Sequence, residues 1–148
     1  RLARDGRLVL AESVPRRGQR LHHLLPWDKV SEDLRRRAVE AEEAIYADDQ
    51  CWDVDVLEAV LRRLNTYRVQ VNIRKVVSEV EITPSLVARW FRRHRTPPSY
   101  ADALAQLLTP DEIRLVEGMF TEQVLGRTVA WTAIVAFVIV ERAEPQDG

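Results

Sequence analysis

The chain has 148 residues, 46% hydrophobic and 30% charged, a balance that excludes a disordered polypeptide and allows a real core of single-domain size. Its 22 basic and 23 acidic side chains leave a formal net charge of −1, so no global field directs it to nucleic acid or to a membrane surface. A single cysteine, Cys51, excludes an internal disulfide and a cysteine-based metal cluster, and fits a reducing, cytoplasmic compartment.

Asp5-Gly6 is a turn signal, and the run Gly6-Arg7-Leu8-Val9-Leu10-Ala11-Glu12 follows it. A short apolar run bounded in this way predicts a strand buried on both faces, as in a parallel sheet. Val14 to Arg20 is a basic loop with breakers at Pro15 and Gly18, and Leu21, Leu24 and Leu25 predict a short helical turn stopped by Pro26. Ser31 is a good N-cap, with Glu32 and Asp33 in the first turn where the helix dipole favours acids. Leu34, Ala38, Ala41 and Ile45 recur at helical spacing, which predicts a helix over 31–47 with Glu40, Glu42 and Glu43 off the apolar stripe. Glu40 and Glu43 lie within reach of Arg36 and Arg37 for surface pairs.

A second helix is expected from about Asp53 to Leu64, with Val56, Leu57, Val60, Leu61 and Leu64 as its apolar stripe. Arg68 to Ile73 alternates as a half-buried strand does. The phase then slips from odd to even positions at Val76, Val80 and Ile82, so a bulge or turn is expected at Arg74-Lys75. Thr83-Pro84 is an N-cap with proline at N1, and opens a helix through Leu86, Val87, Trp90 and Phe91. Thr96-Pro97-Pro98 breaks it, and Ser99 caps a short helix. Thr109-Pro110-Asp111-Glu112 is a capping box whose helix ends near Leu125, with Gly126 as the stop. Thr128 to Val140 is β-branched and apolar almost throughout, which predicts a central strand covered on both sides. It is too short to span a bilayer, so no membrane partner is expected. One domain over 1–142 with a polar tail at 143–148 follows. The chain opens Arg1-Leu2-Ala3-Arg4-Asp5 and its only methionine is Met119, which is expected of a piece of a longer protein.

The order strand, helices, strand, helical insertion, long last strand resembles the C-terminal half of a class I S-adenosylmethionine-dependent methyltransferase fold. There the fifth strand often reads like Gly6–Glu12, and the seventh is inserted, antiparallel, between the fifth and sixth. Glu12-Ser13-Val14-Pro15-Arg16, Gln19-Arg20-Leu21 and Ala41 to Asp48 are similar to a domain fused behind a replication-associated recombination AAA ATPase of the clamp-loader-like kind. Ile82-Thr83, Arg89-Trp90-Phe91, Ser99-Tyr100, Thr128 to Trp131 and Ala136-Phe137 continue that similarity over nearly the whole chain. The resemblance implies an α/β fold, a partial methyltransferase-like sheet of one strand plus antiparallel long strands under several helices. It implies a parent protein with an ATPase module in the same chain, using ATP and magnesium and acting on DNA in replication or recombination. The glycine-rich cofactor loop, the ribose-binding acid and the Walker lysine loop have no counterpart in these residues, so no cofactor and no catalysis are expected of this chain alone. The expected role is that of an interaction or regulatory module. The alternative is the substrate-side half of an active methyltransferase whose S-adenosylmethionine site lies elsewhere in the parent.

Two groups of residues merit separate attention. Glu12, at the carboxyl end of its strand, either lines a substrate cleft with Arg16 and Arg20 as anion contacts, or pairs with one of these arginines and orders the loop. Arg89, Arg92, Arg93 and Arg95, interleaved with Trp90 and Phe91, either contact phosphates and bases of nucleic acid or form the cationic end of an amphipathic helix. His22, His23 and His94 are too few and wrongly spaced for a zinc site, and no metal is expected. A sheet with a cut edge exposes hydrogen-bonding groups and apolar side chains, so self-association is expected.

Overall fold

The computed structural model describes residues 6–47, 53–63, 67–93 and 98–142. The fold is α/β, with a three-stranded antiparallel sheet and, among the described residues, five α-helices. The strands are β1 (Arg7–Ser13), β2 (Tyr67–Glu81) and β3 (Thr128–Arg142), in the order β1-β3-β2. The last strand therefore occupies the middle of the sheet, as its apolar composition predicts. Ala136, Val138 and Val140 are buried on one of its faces, and the residues between them are half-buried, so its coverage is unequal.

Three expectations need correction. β1 pairs antiparallel with β3, from Arg7 opposite Glu141 to Ser13 opposite Val135, and is not a buried parallel strand. All seven of its residues are exposed, with Leu8, Val9 and Leu10 at 41%, 56% and 40%. A continuous apolar run carries no direction and no partner, so composition alone does not separate a doubly covered strand from an apolar edge. Of the bulge or turn expected at Arg74-Lys75, the turn does not form: β2 is one strand through the phase slip, and Val76 and Val77 are exposed. Helix α2 (Val54–Arg62) buries Val54 beside its Asp53 cap, while Val56 and Val60, expected on the apolar stripe, face water.

The chain divides into two compact units, with β2 and β3 contributing residues to each. The first takes residues 1–18, 49–77 and 132–148. Its small core is Val14, Val54 and Ala136, with Val71 and Ile134 against it. Val14 donates its N–H to the Ile134 carbonyl at 2.8 Å, and Arg17 reaches Asp53 at 2.9 Å, which holds the N-cap of α2.

The second unit takes residues 19–48 and 78–131. It contains α1 (Glu32–Ala47), α3 (Pro84–Phe91), α4 (Tyr100–Leu104) and α5 (Pro110–Gln123) around Ile82, Leu104, Val116, Phe120 and Val124. The helix starts are those that the sequence marks. Ser31, Thr83, Ser99 and Thr109 each accept a backbone N–H three residues on, and Ser99 forms a capping box with Asp102 as Thr109 does with Glu112. Phe120 meets Trp90, Phe91 and Tyr100 edge to face at centroid distances of 5.5, 5.7 and 6.0 Å. After α5, Gly126 adopts φ +77°, a backbone that glycine enters without strain, and donates its N–H to the Ile82 carbonyl at 2.8 Å. Ile82 donates in turn to the Arg127 carbonyl at 2.9 Å. That pair closes the helical excursion between β2 and β3.

Of the expected surface pairs on α1, Arg36 meets Glu40 at 3.3 Å, whereas Arg37 turns to Asp33 and to Glu112 of α5, and Glu43 to Arg20. Arg37 grips the Glu112 carboxylate with two nitrogens, at 2.6 and 3.0 Å, and also donates to the Leu107 carbonyl at 3.0 Å. Arg37, together with the Thr109 backbone N–H, holds the Glu112 carboxyl down to about 2 from its ordinary value of 4.5. Among the described residues no helix is long and apolar enough to cross a membrane.

Two outcomes are expected. Because the folded Glu112 carboxyl titrates below its unfolded value, its stabilisation is complete above about 4.5 and disappears as pH falls through about 2. Urea midpoints of Glu112→Gln should lie below those of the parent chain near neutral pH and converge with them across that acid window; a constant gap at all pH values contradicts the pairing. Light scattering should give a mass above the 17.1 kDa monomer, and Val9→Lys on the β1 edge should shift it toward the monomer. A monodisperse monomer for the parent chain counts against association through β1.

Candidate functional site

A cavity of about 620 Å³ lies within the second unit. Each wall follows from local spacing. Glu42, Ile45 and Tyr46 are i, i+3 and i+4 on one face of α1, and Leu86, Arg89 and Trp90 stand in the same relation on α3. Val80 and Ile82, two apart, contribute one side of the β2 end, and Trp131 of β3 completes the apolar lining. Leu21, Ser99 and Tyr100 supply the remaining edge.

Glu42 is the buried charge of this wall, at 1% exposure. The Leu21 N–H donates to its Oε1 at 2.6 Å, the His22 N–H to its Oε2 at 2.9 Å, and His22 Nδ1 lies 2.8 Å from the same oxygen. With the proton on Nδ1, the carboxylate accepts three hydrogen bonds from one turn. Such a carboxylate is a structural anchor, because three of its roughly four acceptor sites are held by one turn. The same turn is held by Trp27 Nε1, which donates to the His22 carbonyl at 2.8 Å.

Tyr100 behaves differently. It is 5% exposed, and its hydroxyl oxygen is buried with no hydrogen-bond partner among the described residues. Burial, and then the nearby Glu42 and Tyr46, push the phenol well above its ordinary range, so it stays protonated and can donate. Ser99 is occupied with its own cap: its hydroxyl donates to Asp102 and accepts the Asp102 N–H. Among the described residues no group of three or more His, Cys, Asp and Glu could hold a metal ion.

The residues singled out in the sequence are dispersed. Glu12 is exposed on β1, opposite Ala136. Arg16 is half-buried in the 3-10 turn Pro15–Arg17. Arg20 is buried, bound to Glu43 through two nitrogens at 3.0 and 3.2 Å, and its guanidinium carbon lies 3.7 Å from the Tyr46 ring centroid. Of the second cluster, Arg89 lines the cavity, Arg92 is an exposed helix cap, and Arg93 reaches Asp102 at 2.9 Å. Arg95 lies outside the described residues, as do His94 and Cys51.

Sequence inspection missed Glu42, Tyr46, Tyr100 and Trp131 as a group. One signal was present for Glu42: it continues the i+4 row from Leu34 and Ala38, so it sits on the apolar stripe of α1 and not off it. An acid on such a stripe must find donors. Compared with family models, curated proteins and solved structures, the chain matches none of them.

Glu42→Ala would leave three donors of the Leu21-His22 turn unpaired in the interior. A loss of about 3 kcal/mol in folding free energy is expected from chemical denaturation, with Glu42→Gln losing roughly half as much because it keeps one acceptor. A loss under about 1 kcal/mol for the alanine variant contradicts the anchoring role.

Proposed function

We propose that the chain is a methyltransferase-like accessory module of an AAA-type ATPase acting in DNA replication and recombination, with an interaction or regulatory role and no catalysis of its own. The observation that carries this is the strand order β1-β3-β2 with β1 and β3 antiparallel, which agrees with the order of fifth, seventh and sixth strands that the sequence resemblance implies. Among the described residues no strand pairs with the outer side of β1, which supports it further. An edge strand with three exposed apolar residues is a ready template for a strand from elsewhere in a parent protein. Glu42, buried and accepting three hydrogen bonds from its own turn, is a poor general base.

Calorimetric titration of the chain with S-adenosylmethionine should give no binding heat. Removing the module from the parent should change its ATP hydrolysis at least about two-fold, a shift of roughly 0.4 kcal/mol in the activation barrier. Saturable S-adenosylmethionine binding would overturn the non-catalytic role in favour of an active methyltransferase half, and a parent without ATPase activity would overturn the fusion.

A further inference from the structure

We propose that the cavity of the second unit binds a small aromatic carboxylic acid, with its ring against the apolar wall and its carboxylate on Arg89. The cavity, at about 620 Å³, is of the size that takes small organic molecules. Its lining is mostly apolar, and Ile45, Leu86, Trp90 and Trp131 within it are only half-buried. Phe120, Ile82 and Leu104, by contrast, are sealed in the core of the same unit. Apolar surface left open to solvent within a concavity is what a small apolar molecule covers. Two indole rings in that surface favour a flat partner, which can stack on them or meet them edge to face.

The polar groups of the lining decide the charge of that partner. Glu42 is 1% exposed, and three of its roughly four acceptor sites are held by the Leu21-His22 turn. Ser99 is occupied with Asp102. The Tyr100 hydroxyl is buried beyond the reach of a ligand. Arg89 differs from all three: it lines the cavity, is exposed, and has no ion-pair partner among the described residues. It lies three residues after Leu86 and next to Trp90 on α3, so one helix presents both the cation and part of the apolar wall. A guanidinium takes a carboxylate through two parallel N–H bonds. The charge of Glu42, on α1, keeps that carboxylate to the α3 side. A cationic ring is the wrong partner: it would meet the like charge of Arg89, and one face of Tyr46 already carries the Arg20 guanidinium at 3.7 Å. This binding does not depend on the accessory role proposed above.

Calorimetric titration of the full chain with naphthoate should show saturable binding, about ten-fold tighter than that of naphthamide, its neutral counterpart. Decalin carboxylate, the saturated acid of the same skeleton, should bind about five-fold more weakly than naphthoate because it has no flat face. Arg89→Ala, a surface change, should keep the melting temperature, weaken naphthoate about ten-fold and leave naphthamide unaffected. Leu86→Trp fills the cavity from α3 and should abolish binding of both; Ile45→Trp makes the same test from α1 where the first variant does not fold. Absence of saturable naphthoate binding overturns the proposal. So does naphthamide or the saturated acid binding as tightly as naphthoate, Arg89→Ala affecting naphthoate and naphthamide alike, or a folded cavity-filling variant binding as the parent chain binds.

Discussion

A carboxylate taken out of water has to recover its hydrogen bonds from the protein, and Glu42 recovers three of them from a single turn. The requirement works in both directions. It fixes the Leu21-His22 turn onto α1, and the turn in turn exposes three donors that only this acid satisfies. Beside it, Arg20 is locked between the Glu43 carboxylate and the Tyr46 ring, so the last turns of α1 carry an anchor, an ion pair and a cation–π contact within five residues. The positions of Leu21, Ile45 and Tyr46 in the cavity wall follow from that arrangement.

The opposite wall depends on how the helical excursion from β2 to β3 closes. Ile82 both donates to Arg127 and accepts from Gly126, and the positive φ of Gly126 turns the chain out of α5 so that the second bond can form. Closure at that pair sets Val80, Ile82 and Trp131 at one end of the long strands. Between these walls the aromatic group around Phe120 holds α3 and α4, and with them Trp90 and Tyr100. Tyr100 therefore has its ring placed by packing and its hydroxyl left over, an arrangement that costs stability unless something else accepts the bond.

The sheet and the cavity point to different uses. An apolar edge strand gives backbone hydrogen bonds, a non-selective adhesive suited to another strand. The cavity offers a few directed polar groups among flat apolar ones, which is the make-up of a selective small-ligand site.

Local chemistry was legible in the sequence wherever it was contained within about four residues. The caps at Ser31, Thr83, Ser99 and Thr109, the proline starts, the Gly126 stop and the central rank of the Thr128 strand could all be read from it, because each rests on a hydrogen bond or a composition internal to the segment. What the chain does over long separations could not. Arg37 adds Glu112, 75 residues away, to its helix neighbour Asp33, and β1 took an antiparallel edge where its composition suggested a buried parallel strand. Glu42, Tyr100, Arg89 and Trp131 share no spacing that a linear pattern would reveal. They meet because burial, strand register and helix packing are decided by the whole chain at once, and only the tertiary structure states which polar groups are then left satisfied and which are not.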